Sequence, residues 1–155
     1  MNPLFHFLFN YLVVDFAFGN AWKYVVLIFL ASVLIDLTHI PYLLKVRGGV
    51  VKRRFGAEAR TRFHEMYGLS VFSALFCAAY IFFDPSAVSI GAVCVILHFA
   101  IDFITGKSMP FYPYSDKVVF LHISPYTYRN KVVFEISLTI VAGVLFCLKT
   151  ASLAL

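Results

Sequence analysis

Charge is scarce in this chain. Asp, Glu, Lys and Arg supply only 14% of its 155 residues, against the roughly 25% typical of a soluble domain whose surface faces water. That shortage excludes an ordinary water-soluble fold. There is no low-complexity tract and no sustained heptad, which excludes a disordered chain and a coiled coil. Cysteine is limited to Cys77, Cys94 and Cys147, all inside apolar runs, so a disulfide scaffold is excluded and the three are expected as reduced core residues. A basic n-region and a small-residue cleavage site are missing ahead of the first apolar run, so that segment is expected to stay in the mature protein.

What is present is apolar: 61% hydrophobic and 18% aromatic residues, with a mean hydropathy of +0.85. These outnumber what a core of this size encloses, and lipid is the solvent they suit. A spanning helix needs about 20 mostly apolar residues. The runs at 24–44, 67–83, 86–105 and 132–148 meet or approach that length, and a shorter one at 4–18 joins the next through Gly19-Asn20. The reading is an all-α polytopic membrane helical bundle of about five transmembrane helices, forming a single membrane-embedded domain over 1–155.

Seven of the thirteen Lys and Arg fall between Lys45 and Arg62, and four more between Lys107 and Lys131. The positive-inside rule therefore puts a basic loop at 45–66 and an aromatic, proline-rich loop at 106–131 in the cytoplasm, together with the N-terminus. The second loop mixes Phe and Tyr with Lys and Arg and is expected to lie along the inner membrane face. The absence of a transit peptide favours a prokaryotic plasma (inner) membrane.

Ionisable residues are costly in a span, at least about 2.5 kcal/mol at the bilayer centre, and normally face protein or water. Asp36 and His39 are three apart, and His98 and Asp102 four apart, so each pair shares one helix face near the cytoplasmic end. His64 and Glu65 precede the third span at the same depth, His6 lies near the inner end of the first, and Glu135 opens the fifth. Imidazole and carboxylate are ligand types of zinc and other first-row divalent ions. A spare carboxylate beside a bound metal can serve as general base. Taken singly, His6, Glu135 or His122 is more often a packing or anchoring residue, and carboxylate with imidazole can equally form metal-free pairs or a proton relay. His122 could fold over the site. The outer half is sparsely polar, with Asn10, Asp15 and Ser137 to Thr139 scattered through it.

At these residues the sequence resembles the membrane-bound metal-dependent hydrolase family of bacteria and archaea. The likeness rests on Met1-Asn2-Pro3-Leu4-Phe5-His6, on Ile35-Asp36-Leu37-Thr38-His39, and on His98-Phe99-Ala100-Ile101-Asp102 followed by Gly106 and Pro110-Phe111-Tyr112-Pro113-Tyr114-Ser115. The family carries two histidines, an Arg and a Thr-His-Ser before the third span, whereas Arg62-Phe63-His64-Glu65 offers one His and Ser70 follows without another. Either His64 replaces the second histidine or the site has lost a ligand. The resemblance implies a divalent metal and hydrolase chemistry.

The expectation is a membrane-embedded metal-dependent hydrolase with a cytoplasmic-side site, acting on a lipid or lipid-linked ester or phosphoester. Asp36, His39, His98 and Asp102 are the expected ligands, with zinc the expected ion. His6 and His64 are further ligands or partners, Glu65 is the candidate general base and His64 a second catalytic candidate. The partner is membrane lipid or a lipid-linked substrate, with no nucleic acid. The alternatives are an ion or proton transporter, which would extend polar residues into the outer half, and a non-catalytic membrane subunit indifferent to Ala at Asp36 and His98.

Overall fold

A computed structural model describes residues 2–37, 65–115, 117–121, 123–125 and 127–153. His39, His64, His122 and most of the basic 45–66 segment lie outside the described residues. Within them the chain is all-helical. The elements are α1 (Pro3–Phe18), a 3-10 turn (Ala21–Tyr24), α2 (Val25–Leu37), α3 (Met66–Phe82), α4 (Pro85–Thr105) and α5 (Tyr128–Leu153).

Short-range chemistry sets the helix ends. The Asn2 side chain accepts a hydrogen bond from the Phe5 N–H at 2.8 Å, and Pro3 follows in the first turn, where a missing N–H costs nothing. α1 stops at Gly19 and Asn20, with φ of 65° and 52°, a left-handed reversal that ordinary side chains resist. The Asp15 carboxylate accepts from the Ala21 N–H across this turn. Asp84 caps α4 by accepting from the Ser86 and Ala87 N–H groups, again with Pro in the first turn. After Gly106, Ser108 and Val119 exchange two backbone hydrogen bonds of 2.9 and 2.7 Å, and the Ser124 hydroxyl donates to the Thr105 carbonyl. The aromatic segment is thereby folded back against the end of α4. α5 starts at Tyr128, four residues before the expected Val132, because helical hydrogen bonding continues through polar Arg129-Asn130-Lys131 where hydropathy falls away.

α4 is central. It packs on α1, α2 and α3, while α1 also touches α2 and α5. Tyr11, Val14, Ala21, Ile28, Ile90 and Cys94 form the apolar core between α1, α2 and α4. At Gly91, a Cβ would meet the Phe76 ring at 2.9 Å, so glycine permits the close approach of α3. All three cysteines are free, but only Cys94 is a core residue; Cys77 and Cys147 are exposed on the outer faces of their helices, contrary to the expectation.

Among the described residues, two helical stretches, Pro85–Thr105 and Arg129–Ser152, are long and apolar enough to cross a membrane, and Pro3–Phe18 and Met66–Phe82 are shorter apolar helices. Much of α5 faces outward: Val133, Ile136, Ile140, Val144 and Leu148 are all exposed. A continuous apolar face of this kind is costly in water and suits lipid.

Candidate metal centre

Three helices that are remote in sequence deliver His6, Asp36, His98 and Asp102 to one point. α4 supplies His98 and Asp102 on successive turns of one face. α1 supplies His6, and α2 supplies Asp36 from its last turn. His6 and His98 are fully buried and Asp102 is 6% exposed.

Asp102 reaches both rings. Its Oδ1 lies 3.3 Å from His6 Nε2 and its Oδ2 lies 3.9 Å from His98 Nε2. Asp36 Oδ1 is 3.7 Å from the same His98 nitrogen. The two imidazoles stack, with centroids 3.8 Å apart and planes 20° from parallel.

The tautomer of His98 follows from its surroundings. Its Nδ1 lies 3.0 Å from the Ser32 carbonyl oxygen, which can only accept, so Nδ1 carries a hydrogen and Nε2 is the ring nitrogen that faces Asp36 and Asp102. A ring nitrogen facing two carboxylates is an arrangement that a shared proton or a metal cation between them stabilises. The wholly buried His6 makes no hydrogen bond at either ring nitrogen among the described residues, its nearest polar neighbour being Asp102 Oδ1 at 3.3 Å from Nε2, which suits a metal-ligating imidazole.

One ligand atom from each of His6, His98 and Asp102 fits within a 4.8 Å span. Two donors each about 2.0–2.2 Å from one tetrahedral ion stand about 3.4 Å apart; the His6–Asp102 separation of 3.3 Å matches this, and the 3.9 Å between His98 and Asp102 is wider. The three residues could therefore hold a metal ion through nitrogen and oxygen donors, with a second carboxylate, Asp36, alongside.

Glu65 is placed elsewhere. Its Oε1 accepts a hydrogen bond from the Met109 N–H at 3.0 Å. It lines a largely apolar cavity of about 220 Å³ with Leu69, Phe99 and Phe103, on a flank of α4 rotated away from His98 and Asp102. The structure brings Asp36, His98, Asp102 and His6 together and leaves Glu65 outside that group. The other expected site residues, His39 and His64, fall outside the described residues.

Polar residues that the sequence left scattered have partners. Asn10 donates to the Ser32 hydroxyl at 2.8 Å and to the Cys94 carbonyl at 3.1 Å. Asp15 pairs with Lys149 at 3.1 Å, and Asn2 donates to the Thr139 hydroxyl. The sequence signal for Asn10 and Ser32 was their spacing: each lies four residues from a site residue, His6 and Asp36, on the same helix face.

No protein-family model matches the chain, and neither a curated protein nor a solved structure is significantly similar to it.

Proposed function

We propose that the chain is a five-span helical membrane protein with its N-terminus and basic segments in the cytoplasm, and that it is a metal-dependent hydrolase of lipid or lipid-linked esters or phosphoesters. The observation that carries this reading is the buried convergence of His6, His98 and Asp102, with Asp36 beside them. The apolar helices and the clustering of Lys and Arg support the membrane arrangement. The resemblance to membrane-bound metal-dependent hydrolases supports the reaction class, and the burial of the site within apolar helices favours a substrate that itself resides in the membrane.

In this reading His6, His98 and Asp102 hold the ion. A divalent ion held there would supply Lewis-acid chemistry and make a water molecule acidic enough to lose a proton near neutral pH. The chain's own groups do the rest. The Ser32 carbonyl keeps the hydrogen of His98 on Nδ1 and so keeps Nε2 available. Asp36, which faces the same nitrogen as Asp102, is the carboxylate placed to accept a proton from attacking water, the role that the sequence had suggested for Glu65. Glu65 instead ties the start of the aromatic loop to α3.

The test is metal analysis of protein purified in detergent, combined with hydrolysis of extracted membrane lipids. Wild type is expected to carry one divalent ion per chain and His98→Ala to carry none. Wild type that acquires no stoichiometric ion under supplementation with zinc, manganese, magnesium or calcium would falsify the hydrolase reading.

A further inference from the structure

We infer that Asn10, a residue that touches no ligand atom, is a positioning residue of the metal centre and sets its affinity and geometry through Ser32. The inference rests on the metal reading, and it concerns how that site is held.

Asn10 is fully buried where α1, α2 and α4 meet. These are the helices that bring His6, Asp36, and His98 with Asp102. Its side-chain amide has two hydrogens and both are used across helix boundaries: one bond goes to the Ser32 hydroxyl on α2 and one to the Cys94 carbonyl on α4. The Ser32 hydroxyl in turn donates to the Ile28 carbonyl at 2.6 Å. The carbonyl of Ser32 accepts from His98 Nδ1. Asn10 thus pins α2 at the residue whose carbonyl orients His98, and pins α4 at Cys94, one turn before His98.

Register is the reason this matters. His6 and Asn10 are successive turns of one face of α1, as are Ser32 and Asp36 on α2, and Cys94, His98 and Asp102 on α4. The polar tie at Asn10, Ser32 and Cys94 therefore lies one turn behind the ligands on every helix. Apolar packing around Tyr11, Ile28 and Ile90 is non-directional and leaves the rotation of each helix loosely defined. The two amide bonds are directional and define it. A metal centre tolerates little ligand displacement, and loss of an orienting partner typically costs about 10- to 100-fold in affinity.

Cobalt(II) is the probe, because its visible spectrum reports coordination number as well as occupancy. Full-length protein in detergent micelles is stripped of metal and titrated, comparing wild type with Asn10→Leu, Ser32→Ala, Ser32→Thr and Ile90→Ala. Asn10→Leu is expected to bind cobalt about 10- to 100-fold more weakly, with an altered spectrum, and Ser32→Ala to move the same way by less. Ser32→Thr, which keeps the hydroxyl, restores wild-type behaviour. Ile90→Ala cuts a cavity in the neighbouring apolar core, so it lowers the melting temperature while leaving affinity and spectrum unchanged. If Asn10→Leu does not fold, the Ser32→Ala and Ser32→Thr pair decides. Wild-type affinity and spectrum in Asn10→Leu and Ser32→Ala, or an equal change in Ile90→Ala, overturns the inference while leaving the metal centre standing. Wild type that binds no cobalt or zinc overturns both.

Discussion

Asp102→Asn is the most informative single change, because it preserves side-chain shape while removing the charge that reaches both imidazoles. In the native chain one carboxylate oxygen stands 3.3 Å from His6 Nε2 and the other 3.9 Å from His98 Nε2. The amide turns one of those oxygens into an NH2 donor and leaves a weaker, neutral ligand in place of an anion. Loss of a partner that merely orients a ligand already costs about 10- to 100-fold in metal affinity. Loss of a ligand should cost at least the upper figure, about 2.7 kcal/mol at 1.36 kcal/mol per decade. Binding energy appears as thermal stability. At a free zinc concentration 100 times the dissociation constant the native state gains about 2.7 kcal/mol, and a chain of this size gains about 2–4 °C per kcal/mol. Wild type should therefore melt about 5–11 °C higher with zinc than after chelation. In Asp102→Asn the same zinc is near the weakened dissociation constant, the gain falls to about 0.4 kcal/mol, and the shift falls to about 1 °C. Differential scanning fluorimetry in detergent, with and without zinc, measures both. A full zinc-dependent shift in Asp102→Asn would refute the ligand assignment, since the charge would then be irrelevant to the ion.

Three further outcomes are expected. Asp36→Asn should retain zinc, since His6, His98 and Asp102 remain, yet lose about 10²- to 10⁴-fold in lipid hydrolysis as its proton-accepting group disappears; parallel loss of zinc would make Asp36 a ligand instead. Glu65→Gln should leave metal content and turnover close to wild type, because the glutamine oxygen can still accept from the Met109 N–H, whereas a large loss of turnover at normal metal content would return the general-base role to Glu65. Gly91→Val should lower stability by about 1–3 kcal/mol through overpacking, since even a bare Cβ meets Phe76 at 2.9 Å; unchanged stability in a denaturant titration would mean that α3 does not press on α4 at this point.

Local physics made much of the architecture legible. The apolar runs marked the helical stretches, Gly19-Asn20 marked where the first two join, and the spacing of His98 and Asp102 put both on one face of α4 before any packing was known. Each of these depends on residues within a few positions of one another, which is the range over which helix periodicity and capping act.

Tertiary structure decided which faces meet. The sequence reading put His6, Asp36, His39, His64, Glu65, His98, Asp102 and Glu135 at one depth but could not rotate the helices about their axes. Packing turned His6 onto His98, set Asp36 against the same nitrogen, and sent the neighbouring Glu65 to the other flank of α4 to hold Met109. Asn10 looked like a scattered polar residue for the same reason, and Ser32 was not singled out although each lies four residues from a site residue. Their bond joins helices 22 positions apart, and a residue's own neighbours in sequence carry no information about a partner chosen by the rotation and register of another helix.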